Sequence, residues 1–424
     1  MPEAGKRQLF FSVNLPPLPL YSRVNKRPAV RRRVFFKSKK VVTVRRAADA
    51  SVTKTAANIL LRKMNMIQIK STAFKETALL VLVLSLSGCA TTLPPTIVKK
   101  TAPPAEVPER KVCSGQKGTV FLIASSSQYD ENVIPEIETA FSRQCYAVDK
   151  RYLDQKPTRL GYVNTDEKRA RTLINALSDR NVHYLWFVRG GSGALNLYPA
   201  LHASRQRISA STPKILIGFS DVTAIHSFVS HELNWPGVHG VVASYNKEMH
   251  EIDNSKKLSM NNSLNEVFEA LSHGVNYTGI EPMNRQAAKT VSGKLDGGNL
   301  TLVQSLFSTV YEGSYSDKIM MLEDTGVTPK QLDRTLHQIE YSRKFHPRGV
   351  IFGQFYGLNA SDEEKSLYRY VIKQFAGRVN YPVYYYPEFG HGETNQPFIL
   401  DHQASILCNS LSRLCSLTQT PVNE

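Results

Sequence analysis

Lys214-Ile-Leu-Ile-Gly-Phe-Ser-Asp-Val-Thr223 carries an apolar stretch that runs without a linker into Ser220-Asp221 and then into a helical pattern through Val229. A short apolar run with no polar alternation suits a strand buried on both faces. Upstream, Val182-His-Tyr-Leu-Trp-Phe-Val188 has the same form. It stops at Arg189-Gly-Gly-Ser-Gly193, and a helical segment follows to about Leu201. Earlier still, Thr119 to Ala124 reads as a buried strand, Ile134 to Arg143 as a helix and Cys145 to Val148 as the next strand. This rhythm, sustained to about residue 235, predicts a doubly wound parallel sheet whose working residues sit at the carboxyl ends of the strands. Ser220 and the Gly-rich turn then share one rim.

Beyond this unit the pattern changes. Residues 245–285 are polar and Asn-rich (Asn246, Asn254, Asn261, Asn262, Asn265), which predicts a connection with some helix from Leu264 to Leu271. A second domain is expected from about Thr290. It holds Gly293-Lys-Leu-Asp-Gly-Gly-Asn-Leu300, a strand at Lys318 to Leu322 ending in Glu323-Asp324, another at Gly349 to Phe355, and His391 between Gly390 and Gly392. Gly297-Gly298 is expected to form a turn that brings this domain against the first. The predicted class is therefore α/β: an N-terminal domain at 113–245 with the serine, a connection at 246–287, and a smaller C-terminal α/β domain at 288–424 with the Glu and His. The site is expected where the two domains meet.

The chain has 424 residues, 42% of them hydrophobic, which excludes wholesale disorder and leaves room for about two domains. Its formal charge of +17 is unevenly distributed. Residues 1–63 contain 16 Lys and Arg, including Arg31 to Arg33, against Glu3 and Asp49, so this stretch supplies +14 (16 − 2) and the rest only +3 (17 − 14). Whole-chain basicity therefore gives no ground for nucleic acid as a partner of the folded body.

Arg62, Lys63, Lys70 and Lys75 precede the apolar run Ala78-Leu-Leu-Val-Leu-Val-Leu-Ser-Leu-Ser87 and then Gly88-Cys89. This is the order of a secretory signal, and about ten residues fall short of the roughly twenty that span a bilayer. Leu86-Ser87-Gly88-Cys89 resembles the bacterial lipobox. That resemblance implies a signal over 64–88, a lipid on Cys89, a tether over 89–112 and a periplasm-facing lipoprotein of the cell envelope, in the outer membrane of a Gram-negative bacterium. The Pro/Thr-rich Ala90 to Arg110 suits a flexible tether. A signal should start a chain, so translation from Met64 or Met66 is expected, with 1–63 a mis-assigned or disordered basic extension. The competing interpretation of 1–63 is a transit peptide or nucleic-acid-binding arm.

With Cys89 lipidated, Cys113, Cys145, Cys408 and Cys415 remain, an even number that suits an oxidising compartment. In a right-handed strand-helix-strand unit both strands start at one sheet edge, so Cys113 and Cys145 are expected to bridge. Cys408 and Cys415 would lie about 10 Å apart along a continuous helix, so bridging them requires a helix break.

A serine straight after a buried strand and straight before a helix sits on a sharp turn, with its hydroxyl exposed and the next amide free to face an oxyanion. Gly218-Phe-Ser-Asp-Val-Thr223 fits that description but lacks the second glycine of G-x-S-x-G, and a plain helix N-cap fits it too. Other blocks decide more. Arg189-Gly-Gly-Ser-Gly-Ala194, Ile217-Gly-Phe-Ser-Asp-Val-Thr223, Gly297-Gly-Asn-Leu300, Leu322-Glu-Asp324 with Asp333-Arg334 ten residues beyond Glu323, Gly353-Gln-Phe355 and Gly390-His-Gly392 occur in this order over about 200 residues. The set resembles the LD-carboxypeptidase family of serine peptidases, which includes microcin-immunity hydrolases, and the likeness covers most of 115–400. Ser192 departs from it, because a bulkier residue, commonly Tyr, is expected there, and this bears on substrate preference.

The resemblance implies a Ser220, Glu323, His391 triad, with Asp324 as the alternative acid, and an oxyanion hole from the amides of Asp221 and Gly191. It also implies Asn299 and Ser192 as substrate contacts. His226, His239 and His402 are less favoured as bases. No Cys/His spacing predicts a metal, and no cofactor is expected. The implied substrate is the amide between an L-centre, meso-diaminopimelate or Lys, and terminal D-alanine in murein tetrapeptides. Two alternatives stay open: an amidase of the microcin-immunity type and a non-catalytic murein-binding lipoprotein. The sequence gives no oligomeric state, with a homodimer one option.

Overall fold

The computed structural model describes Cys113, residues 115–244, 254–342, 344–392, 394–409, Leu411 and 413–422, with backbone alone for 254–262. The expected signal, Cys89 and tether lie outside the described residues.

The N-terminal lobe alternates β1 (Gly118–Ile123), α1 (Ile134–Arg143), β2 (Tyr146–Tyr152), α2 (Asp166–Ser178), β3 (Tyr184–Phe187), β4 (Ile215–Gly218), α3 (Thr223–Leu233) and β5 (Gly237–His239). All five strands are parallel, in the order β2-β1-β3-β4-β5. Side chains of opposite parity fill two separate cores. Val120, Leu122, Trp186 and Ile217 pack on one face, and Phe121, Ile123, Phe187 and Leu216 on the other. Two covered faces explain why β1, β3 and β4 read as unbroken apolar runs. The first face is closed by Phe141 of α1 and Phe268 of α4 (Asn254–His273), whose rings lie 5.3 Å apart edge to face. The stretch expected to be a connection thus includes a 20-residue helix that completes this core.

The C-terminal lobe is a closed barrel. It comprises β6 (Val275–Pro282), β7 (Val291–Asn299), β8 (Lys318–Glu323), β9 (Gly349–Phe352), β10 (Val383–Tyr385) and two later strands. From β7 to β10 the pairing is parallel, and α5 (Leu300–Leu306), α6 (Pro329–Tyr341) and α7 (Asp362–Arg378) make the crossovers. The chain then leaves the barrel as β11 (Phe398–Leu400), which pairs antiparallel with β5 of the first lobe, Phe398 opposite His239. It returns as β12 (Gln403–Cys408) and β13 (Cys415–Gln419). The lobes are therefore interlocked through a shared sheet. Among the described residues no helix is long and apolar enough to cross a membrane.

The expected class holds: a parallel-sheet N-terminal domain and a second, mixed α/β domain, which is β-rich because β6, β12 and β13 close its parallel half into a barrel. Two expectations are corrected here. Gly297 and Gly298 lie inside β7 and not in a turn: a Cβ at Gly297 would stand 2.1 Å from the Met321 carbonyl oxygen, and one at Gly298 2.5 Å from Thr223 Oγ1. Cys408 and Cys415 face each other across the β12–β13 hairpin, where antiparallel pairing joins them with no helix to break. Cys113 and Cys145, just before the neighbouring β1 and β2, are also joined, with Cα atoms 5.6 Å apart.

Candidate active site

Ser220 stands one residue beyond β4, after Phe219, and opens the turn into α3. Its φ of 62° lies in the left-handed region, which a non-glycine residue enters at a cost of about 1 kcal/mol. Such strain persists only where the surroundings enforce it. Here Gly190 packs so closely that a Cβ on it would stand 3.0 Å from the Ser220 Cβ and 3.3 Å from its Oγ. The half-buried serine is thus wedged between its own elbow and the turn after β3.

That turn is clamped from three sides. Ser127 donates its backbone N–H to the Gly190 carbonyl and accepts the Ser192 N–H on its hydroxyl, both at 3.2 Å. Buried Arg169 donates to the carbonyls of Ser125 and Gly193 and to Asp166. The Asp221 carboxylate, whose burial pushes its pKa up, accepts the Ala194 N–H at 2.8 Å. The Asp221 side chain therefore couples the two turns whose amides, at Gly191 and Asp221, were the expected oxyanion donors. Gly191, at φ 106°, could not carry a side chain, since a Cβ would collide with Ser127.

Glu323 ends β8 and is fully buried; its Oε2 meets His391 Nδ1 at 2.7 Å. Burial alone would raise the Glu323 carboxyl, but His391 and His239 outweigh it and hold the group at about 2. Burial alone would lower His391, but the Glu323 charge outweighs it and raises the imidazole above its usual value. The pair thus favours the charged imidazolium. The His391 ring also lies 4.7 Å, centroid to centroid, from Phe219, the residue immediately before Ser220, so the histidine packs on the serine's direct chain neighbour.

The Gly390-His391-Gly392 loop is fixed by groups that sequence reasoning did not single out for this role. Gln354 accepts the Gly392 N–H and donates to the carbonyls of Pro387 and Thr394, while Asn395 accepts the Gly390 N–H at 3.0 Å. A Cβ on Gly392 would overlap Gln354. The Gly353-Gln-Phe355 block held the signal: a polar residue at the end of a buried strand has to bond to something.

Other residues fall elsewhere. The His391 Nδ1 partner is Glu323 and not Asp324, which accepts from Asn299, Thr301 and Thr325 around the start of α5, while its charge also favours the imidazolium. Asn299, the expected substrate contact, is buried; its Nδ2 donates to Asp324 and its Oδ1 caps α5. Ser192 and Gly191 are exposed at the open side of the turn. His226 contacts the Gly218 carbonyl, with burial lowering its pKa to about 4, and His402 sits by Thr420. His239 reaches neither Ser220 nor His391 by any hydrogen bond, but its Nε2 lies 3.7 Å from the second Glu323 oxygen. Among the described residues no three His, Cys, Asp or Glu side chains converge as metal ligands would.

Residues 120–240 match the LD-carboxypeptidase N-terminal domain and residues 292–406 its C-terminal domain. The chain belongs to the LD-carboxypeptidase family. A murein tetrapeptide carboxypeptidase of Pseudomonas aeruginosa is 28% identical over 286 residues, 66% of this chain and 90% of that protein. A Rickettsia prowazekii protein with a carboxypeptidase name is 32% identical over 251 residues, 58% of this chain and 74% of the relative. In fold, the chain resembles a muramoyltetrapeptide carboxypeptidase from Oxalobacter formigenes, with a TM-score of 0.58 at 19% identity over 71% of this chain and 98% of the other. It equally resembles an MccF-like protein of Bacillus anthracis, with a TM-score of 0.58 at 17% identity over 72% and 97%. Membership makes the protein a hydrolase of the peptidase class and places the Ser220 elbow in the N-terminal family domain and the Glu323–His391 pair in the C-terminal one.

Proposed function

We propose that the protein is a serine LD-carboxypeptidase that cleaves the amide bond between an L-centre residue, meso-diaminopimelate or Lys, and the terminal D-alanine of murein tetrapeptides. The observation that carries the proposal is the buried 2.7 Å Glu323–His391 pair beside a strained serine elbow contributed by the other lobe. His391 Nε2 takes the Ser220 Oγ proton as oxygen attacks the scissile carbonyl. The amides of Asp221 and Gly191 receive the oxyanion. Collapse breaks the C–N bond, and the proton passes from His391 to the leaving D-alanine amine. Water, deprotonated by His391, then releases the acyl group from Ser220. Glu323 holds the Nδ1–H tautomer and stabilises the imidazolium formed in each half-reaction.

Cell-wall turnover or recycling is the process such a cut serves, and a lipid on Cys89 would hold the enzyme at the periplasmic face of the envelope. Support for the anchor comes from the Leu86-Ser87-Gly88-Cys89 run and the tether composition. The fold shared with an MccF-like protein motivates a second reading, an amidase acting on peptide-nucleotide adducts. The test offers the purified protein murein tetrapeptide, its LL-diastereomer and an acyl-sulfamoyl adenylate, with mass-spectrometric readout. Release of D-alanine from the first alone is expected. Turnover of the adenylate alone would reverse the assignment, and no turnover of any substrate would favour a murein-binding protein.

A further inference from the structure

His239 and Glu323 present an anomaly. Both are completely buried, yet His239 Nδ1, His239 Nε2 and Glu323 Oε1 have no hydrogen-bond partner. A buried carboxylate oxygen left without a donor is costly, and buried polar atoms without partners are rare enough to require a reason. Two of these three atoms face each other: His239 Nε2 stands 3.7 Å from Glu323 Oε1. That gap exceeds the ~2.7–2.9 Å of a charge-assisted hydrogen bond, and bonds of this kind are often long in a ligand-free site and tighten when substrate binds.

Packing leaves His239 little freedom. Phe219 and Phe389 stand edge-on to its ring, at 6.0 and 6.3 Å between centroids, and the Gly298 backbone approaches its Cδ2 so closely that a Cβ there would stand 3.2 Å away. Its backbone pairs with Gly218 of β4 on one side and Phe398 of β11 on the other. The ring therefore projects from the sheet that carries Ser220 toward the acid of the barrel lobe.

We propose that His239 is a positioning residue for the triad: it donates Nε2–H to Glu323 Oε1, fixing the carboxylate rotation that presents Oε2 to His391 and tying the acid to the sheet that holds the nucleophile. This deepens the serine-triad reading and rests on it. His239 is not a second base, since Glu323 lies between it and His391. The charged or titratable groups around the relay are His391 on its loop, Asp324 next to Glu323, and His226 of α3 behind His239. A donor on Oε1 withdraws part of the negative charge that Glu323 directs at His391. Without it, His391 should hold its proton to higher pH.

The first test needs no turnover. In the full-length protein with 15N-labelled histidine, His239 should show a protonated Nε2, and the His391 titration should move upward in His239→Ala. In steady state, His239→Ala should lower kcat about tenfold with KM little changed and move the acid limb of kcat/KM to higher pH by about half a unit. His239→Gln, which keeps an N–H donor, should restore both. An unprotonated Nε2 in the wild type overturns the proposal. So does a folded Ala variant with kcat within twofold and an unmoved acid limb; should the Ala variant not fold, the wild-type tautomer and the Gln variant decide. A Ser220→Ala protein that stayed active would defeat the triad instead, and the tautomer would still be readable.

Discussion

Replacing Glu323 by Gln keeps the shape of the side chain and removes its charge, 2.7 Å from His391 Nδ1 in a site with no exposed surface on the acid. At an effective dielectric of 20, two unit charges at that distance interact by about 6 kcal/mol, from 332/(20 × 2.7). A tenfold change in rate corresponds to about 1.4 kcal/mol, so complete loss would slow the reaction by about four orders of magnitude. The Gln carbonyl can still accept the Nδ1–H, which returns part of the energy, and a fall in kcat of about three orders is expected. A second signature follows from the sign of the shifts. His391 must be neutral to accept the serine proton, and in the wild type the carboxylate raises its pKa, so kcat/KM should fall with decreasing pH at a midpoint above 6.5. In Glu323→Gln burial, which lowers an imidazole, is opposed only by the smaller effect of the Asp324 charge, so the midpoint should drop. D-alanine release from tetrapeptide between pH 4.5 and 9 measures both effects. A Gln variant within tenfold of wild type, or an acid limb that does not move down, refutes the assignment of Glu323 as the group that charges His391.

Ser220→Ala and His391→Ala should each lower kcat by on the order of 10³-fold or more, and the double variant should be little worse than either, because the members act as a unit; additive losses would contradict a shared step. Asp221→Ala removes the acceptor of the Ala194 N–H and frees the Gly190 turn, so kcat should fall by about 10²-fold with stability lowered by about 1–3 kcal/mol; a wild-type kcat would mean that the turn is set without it. Non-reducing peptide maps of the protein isolated from cells should find Cys113 linked to Cys145 and Cys408 to Cys415, and freely alkylated thiols would reject this. Opening the first link, across 32 residues of sequence, should cost about 2–4 kcal/mol in a denaturant melt. Cys89→Ala should leave an unlipidated precursor, whereas intact residues 1–88 on the mature cellular protein would rule out cleavage at the lipobox.

The parallel lobe was legible because its central strands β1, β3 and β4 are buried on both faces. Val182 to Val188 and Lys214 to Phe219 carry no alternation to confuse with a surface strand, and each ends on a turn rich in Gly or Ser. The closing strands of the barrel were not legible for the opposite reason. In β6 only Val275 and Ile280 are buried among eight residues, and Asn276, Tyr277 and Thr278 look like a polar connection until β10 and β13 stand beside them. The Cys408–Cys415 segment misled similarly: a seven-residue spacing says helix only if the chain between is helical, and a hairpin places the same two residues opposite each other.

Glycine pairs carried a different ambiguity. Gly297-Gly298 invites a turn, and Gly190-Gly191 lies in one, yet in both places the glycine is demanded by what a Cβ would meet at 3.0 Å or less. Met321 and Thr223 crowd the first pair; Ser220 and Ser127 crowd the second. The two pairs thus mark where backbone from one element must touch another to assemble the site: β7 against α3, and the β3 turn against the serine elbow. A larger residue at Gly190 would displace Ser220 directly. One at Gly298 would push β7 off Thr223 and His239, and with it β8 and Glu323, since Asn299 pairs with Glu323 in the adjoining strand. Sequence patterns locate the serine, the acid and the histidine as separate points. Their convergence depends on these close approaches between backbones, and on an antiparallel strand from the far end of the chain that sets Phe398 opposite His239.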